Sequence, residues 1–126
     1  MNADPIDTLA TRFFAAIERG DQPAVEKMWA PDIAVWHAGD RRDDDRDRAL
    51  KIIGWFIATT ATRRYDVLDR RVFDGGFVQQ HVLHADGVNG AVIALRVCIV
   101  VDVDATGCIA RIDEYFDPAD LAPLLT

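Results

Sequence analysis

The sequence predicts an α+β domain in which helices come first and a sheet follows. Three observations carry this. Apolar residues recur at helical spacing through the first third of the chain. From Tyr65 the hydrophobic period falls to two. Three glycine-bearing turns, DGG, DGVNG and DATG, then divide the remainder into strand-length pieces.

The elements can be justified in order. Asp4 with Pro5 is a helix start signal, and Ile6, Leu9, Phe13 and Ile17 lie one turn apart, with Ala10 and Phe14 beside them. Gly20 stops this helix. Asp21 caps a short second one, DQPAVEKMW, which ends at Pro31. IAVWH (33–37) reads as a strand with Ile33, Val35 and His37 on one face and Ala34 and Trp36 on the other. The mixed-charge run AGDRRDDDRDR reads as a solvated loop or helix start. ALKIIGWFIATTAT follows, apolar nearly all round, and is expected to be a buried helix. YDVLDRRVF, FVQQHVLHA, AVIALRVCIVVDV and CIARIDEYF are four strands of a meander, and DPADLAPLL closes the chain as a loop or short helix.

Composition narrows the function. With 126 residues, half of them hydrophobic and 28% charged, the chain fits one globular domain. A net charge of −7 without a basic stripe repels phosphate backbones, so nucleic acid is not an expected partner. No stretch approaches the roughly 18 apolar residues of a membrane helix, so no membrane association is expected. The opening MNADPIDTLATRFF lacks the layout of a signal peptide, and a cytoplasmic location is the expectation. Across the DATG turn, Cys98 faces the neighbourhood of Ile112 and Cys108 that of Asp102. The two are too far apart for a disulfide.

One strand bears on assembly. The odd positions of residues 91–103 are all apolar, and the even ones are mixed. Apolar residues on both faces imply that both are covered, one by helices and the other by a second subunit. The expectation is a homodimer with the odd face buried between two chains.

RFFAAIERGDQPAVEKMWAPDIAVWHAGD, the meander and GCIARIDEYFDPADLAPLL together resemble the nuclear transport factor 2-like superfamily, and within it the SnoaL-like domains. Ketosteroid isomerases, limonene-epoxide hydrolases and polyketide cyclases are relatives in that group. The resemblance covers nearly the whole chain, so residues 1–126 read as a single SnoaL-like domain. It implies a cone, with a strongly curved mixed or antiparallel sheet wrapped around N-terminal helices, a cystatin-like α+β barrel. It also implies a deep apolar pocket, a small hydrophobic ligand or substrate, dimers, and no cofactor.

Fold alone does not give function, so the polar groups around that pocket must carry the chemistry. Glu114 shares a strand face with Ala110, Ile112 and Phe116. A carboxylate there is expensive unless paired or protonated, and burial raises its pKa toward the range of a general acid or base. The resemblance places Glu114 at a catalytic aspartate of the hydrolases. A structural ion pair with Arg96 on the adjacent strand is the competing explanation. His37 shares the inward face of its strand with Ile33 and Val35, and an imidazole can bridge a carboxylate and a substrate oxygen.

FVQQHVLHA leaves two choices. Strand geometry puts Phe77, Gln79, His81 and Leu83 on one face and Val78, Gln80, Val82 and His84 on the other. One match to the hydrolase strand selects His81 and Gln79, at an aspartate and an arginine that are catalytic there. An ungapped match from the preceding glycine selects Gln80 and His84. Apolar Phe77 and Leu83 favour the first. The expected catalytic set is therefore His37, His81 and Glu114, with Val35, Trp55, Gln79, Arg96 and Phe116 as ligand-binding residues. Two imidazoles and one carboxylate in an apolar cone suit isomerisation, dehydration or cyclisation by acid/base chemistry. Hydrolase-type water activation fits less well, because its charged network would read His81, Gln79 and Glu114. The rival is a pocket that only binds an apolar ligand, or a dimerisation module. The same trio could hold a metal, but no short ligand motif accompanies it, and no metal is expected.

Overall fold

The computed structural model describes residues 3–125. Its elements are α1 (Ala3–Glu18), α2 (Gln22–Met28), β1 (Trp29–His37), α3 (Arg46–Thr59), β2 (Thr60–Phe73), β3 (Gly76–Gly87), β4 (Val92–Val103) and β5 (Ile109–Tyr115). Two 3-10 turns, Pro118–Asp120 and Ala122–Leu125, follow. The five strands form one curved, unclosed sheet in the order β1-β5-β4-β3-β2. β1 runs parallel to β5, and every other pairing is antiparallel. The α+β class and the meander are as the sequence predicts.

Several boundaries differ, for physical reasons. α1 already includes Ala3, so Asp4 and Pro5 lie inside its first turn rather than before it. The side chain of Asp4 is outside the described residues. Asp21 caps α2 as expected, its carboxylate accepting from the Ala24 N–H at 3.1 Å, but the helix ends at Met28. Trp29 and Ala30 are buried and enter β1 early, and a register irregularity before Ala34 absorbs Pro31. Asp45, inside the charge run, caps α3 by accepting from the Arg48 N–H at 3.0 Å. α3 is not the buried helix expected of it. Only Ala49 and Phe56 are buried, because one face meets the core and another meets an open pocket.

The odd face of β4 also corrects an expectation. Ile93, Leu95, Val97, Ile99 and Val101 are each at most 4% exposed within a single chain. They pack with Phe13, Phe14 and Ile17 of α1 and Phe56 of α3 into one core. The helices therefore cover the odd face, and the even face, including Val92 and Arg96, is the one left open.

In the last hairpin Cys98 pairs with Tyr115 rather than near Ile112. Asp104 widens that turn by accepting from the N–H groups of Thr106 and Cys108 at 2.9 and 3.0 Å, and a bulge follows Asp102. Both cysteines are free. Among the described residues no helix is long and apolar enough to cross a membrane.

Candidate functional site

Helices α1 and α3 stand off the concave side of the sheet and enclose a cavity of about 110 Å³. Its walls are mostly apolar, and Val35, Trp55, Leu95, Ile99 and Phe116 contribute to them. The exceptions are His37, Glu114 and the phenol of Tyr65.

The parallel pairing of β1 with β5 brings two of these together. His37 and Glu114 are register partners at the end of the ladder, where the Ala38 N–H donates to the Glu114 carbonyl at 2.9 Å. Parallel neighbours point to the same face, so both side chains enter the cavity. His37 Nε2 lies 3.9 Å from Glu114 Oε1, close enough for charge interaction and too far for a direct hydrogen bond. Glu114 is 28% exposed, and the open surface lines the cavity. Desolvation pushes its pKa up, and the nearby His37 partly opposes that.

Tyr65 is the site residue that sequence reasoning missed. It pairs with Leu83, an inward position of β3, and its backbone N–H donates to Glu18 Oε2 at 2.8 Å. Its phenol pKa is raised, first by burial and then by the charges of Glu114 and Glu18, so it stays a protonated donor. Its orientation depends on the irregularity between Val67 and Asp69, which leaves Leu68 unpaired and shifts the pairing by one residue. Without that bulge Tyr65 would face His84 and point outward. No turn or periodicity signal in YDVLDRRVF announces it.

Gln79 and His81, rather than Gln80 and His84, are the inward residues of β3, and they are 0% and 1% exposed. They do not line the cavity but form a buried chain beneath it. Arg70 Nε donates to Gln79 Oε1 at 2.8 Å, and the Gln79 amide nitrogen meets His81 Nδ1 at 2.8 Å. Arginine can only donate, so Gln79 Oε1 accepts, its NH₂ donates, and His81 Nδ1 must accept. The ring proton therefore sits on Nε2, which is buried without a hydrogen-bond partner among the described residues. The ring packs against Phe14 and Tyr65, with centroids 5.3 and 4.9 Å away. Burial, and next the Arg70 charge, push its pKa down to about 4. The structure thus places His81 behind the wall formed by Phe14 and Tyr65 as a neutral imidazole, outside the cavity where the sequence expected it.

Arg96 is a second correction. Strand alternation turns it to the exposed outer face, where it donates to Gln80 Oε1 at 3.3 Å. Glu114 is paired in register with Ile99, so no Arg96–Glu114 ion pair exists.

Comparison with known proteins agrees with this architecture. A family model described as a SnoaL-like domain matches residues 10–112. PrhC from Penicillium brasilianum NBRC 6234 superposes with a TM-score of 0.87 at 14% identity, over 99% of this chain and 88% of that one. An LEH-like epoxide hydrolase of M. tuberculosis gives a TM-score of 0.80 at 17% identity, over 99% of this chain and 92% of that one. An NTF2-like protein from Anabaena variabilis ATCC 29413 gives 0.78 at 16% identity, over 93% and 92%. At such identities the likeness is one of fold. Among curated proteins no match is found.

Proposed function

Since the chain belongs to the SnoaL-like domain family, we propose that it is a small pocket enzyme that moves protons on an apolar molecule. Glu114 and His37 are the proton-transfer pair, and Tyr65 donates a hydrogen bond to an oxygen of the bound molecule. The observation that carries this reading is the gap between the pair. A carboxyl and an imidazole face each other across 3.9 Å in a mostly apolar cavity, too far apart for a direct hydrogen bond. A substrate atom or a water between them could take a proton from one side and give it up to the other. Isomerisation, dehydration and cyclisation need no more than this, and no cofactor is called for.

Opening an epoxide is less well supported. The family resemblance would put the hydrolase network at His81, Gln79 and Glu114. Here the first two are a neutral imidazole and an amide held by Arg70 beneath the wall, so among the described residues Glu114 is the one carboxylate that faces the cavity.

The test is to extract the purified protein, identify by mass spectrometry the small molecule that copurifies, and incubate it with the enzyme in deuterium oxide. Proton transfer predicts deuterium in the recovered molecule or its product, with little in Glu114→Gln. A molecule recovered unchanged and unlabelled from both would favour a pocket that only binds.

A further inference from the structure

The His37 ring has a second environment on the side away from Glu114. Asp40 Oδ2 lies 3.5 Å and Asp44 Oδ2 3.7 Å from His37 Nδ1. One donor atom from each of the three residues falls within 4.8 Å of the others. Both separations from Nδ1 are long for N–H···O hydrogen bonds, which cluster at about 2.7–3.2 Å. They suit the edges of a coordination shell. Ligands held about 2.0–2.2 Å from zinc at tetrahedral angles stand roughly 3.3–3.6 Å apart.

Asp44 points to an occupant. The residue is 7% exposed, and its Oδ2 is buried without a hydrogen-bond partner among the described residues while facing the imidazole nitrogen. Arg48 Nε engages only the other oxygen, Oδ1, at 2.9 Å. A bare buried carboxylate oxygen is costly, and an ion or a water in front of it is the ordinary explanation. The backbone holds both acids in place. Asp44 exchanges hydrogen bonds with Val35 at 2.7 and 3.0 Å, and the Asp40 N–H donates to the His37 carbonyl at 2.9 Å. Gly39, at φ +95°, makes the tight return between them.

We propose that His37 Nδ1, Asp40 and Asp44 bind a divalent transition-metal ion of the zinc class. One imidazole with two carboxylates suits zinc, cobalt or nickel better than magnesium or calcium, which favour all-oxygen shells. Three protein ligands leave room for solvent on the side of Asp40, whose side chain is 37% exposed. An ion on Nδ1 leaves the ring N–H on Nε2 facing Glu114, so an occupied site would turn His37 from a proton-transfer group into a fixed hydrogen-bond donor. These are not the His37, His81 and Glu114 of the sequence-based trio, since His81 lies behind the cavity wall. The site stands on its own geometry, whether or not the cavity is catalytic.

Zinc chloride titrated calorimetrically into the chelator-treated chain should show one site per chain. Asp40→Asn and Asp44→Asn should each weaken it at least tenfold, and magnesium should not compete. Nitrogen-edited NMR should place the zinc on Nδ1 of His37, a signature that a purely structural acid cluster would not give. Asp40 is exposed enough that its variant reports even where Asp44→Asn fails to fold. Absence of binding at millimolar zinc overturns the proposal. So does a zinc affinity unchanged in Asp40→Asn, or ligation through His84.

Discussion

Lowering the pH from 7 to 5 should remove about 2 kcal/mol of stability through His81 alone. In an unfolded chain an imidazole titrates near 6.5, whereas in the fold His81 is pushed down to about 4, by burial first and by Arg70 second. Between those values the unfolded chain binds a proton that the folded chain refuses. The stability is therefore intact above about pH 6.5, falls as pH drops through the window, and stops falling below about 4. The whole gap corresponds to about 3 kcal/mol, of which about 2 is gone at pH 5. His81 is only 1% exposed, so solvent screening does not erode it. Urea denaturation of the parent and of His81→Gln at both pH values measures the effect. Carboxylates contribute alike to both proteins, so the acid-induced loss should be about 2 kcal/mol smaller in the variant. An NMR titration should show the ring neutral, with its proton on Nε2, down to about pH 5. Equal acid sensitivity in the two proteins, or a His81 midpoint near 6.5, would show that the fold does not hold the imidazole neutral.

Three further outcomes are expected. Glu114→Gln should keep or slightly raise the melting temperature, because no guanidinium is stranded, and Arg96→Met should change stability by no more than about 0.5 kcal/mol. A loss of several kcal/mol in Glu114→Gln, rescued by Arg96→Met, would mean that the two charges are coupled. Tyr65→Phe should fold normally and lower turnover of the copurified molecule about tenfold or more through loss of one donor, and unchanged turnover would remove Tyr65 from the site. Light scattering at micromolar concentration should show a dimer, with the open even face of β4 as its buried surface. A single-chain mass would end that expectation.

The sequence made the fold legible because its signals were local and agreed with one another. Helical spacing in α1, the cap at Asp21 and glycines in three hairpins each report on a few neighbouring residues. The His37–Glu114 meeting was half legible. Strand alternation alone put each side chain on an inward face, but their pairing rests on a parallel contact between strands more than 70 residues apart in the chain. Register was legible on β3, where apolar Phe77 and Leu83 put Gln79 and His81 inward, and illegible where a bulge or the choice of covered face decided it. A single unpaired residue, Leu68, swings Tyr65 into the cavity, and alternation on β4 sends Arg96 out of it. The outer side of His37 was hidden for another reason. Asp40 and Asp44 sit in a charge run that reads as solvated, and tertiary contacts with β1, the Val35–Asp44 bridge and the Trp36 and His37 bonds to Asp40, fold that run back.

The proposed function requires Glu114 to act chemically rather than merely line a wall. The direct measurement compares kcat and Kd of Glu114→Gln with the parent, using the molecule that copurifies. Loss of a general acid or base predicts a kcat lower by about a hundredfold or more, with Kd nearly unchanged, because glutamine keeps the shape of the cavity. A variant that turns the molecule over at the parent's rate would contradict the account, whatever its affinity.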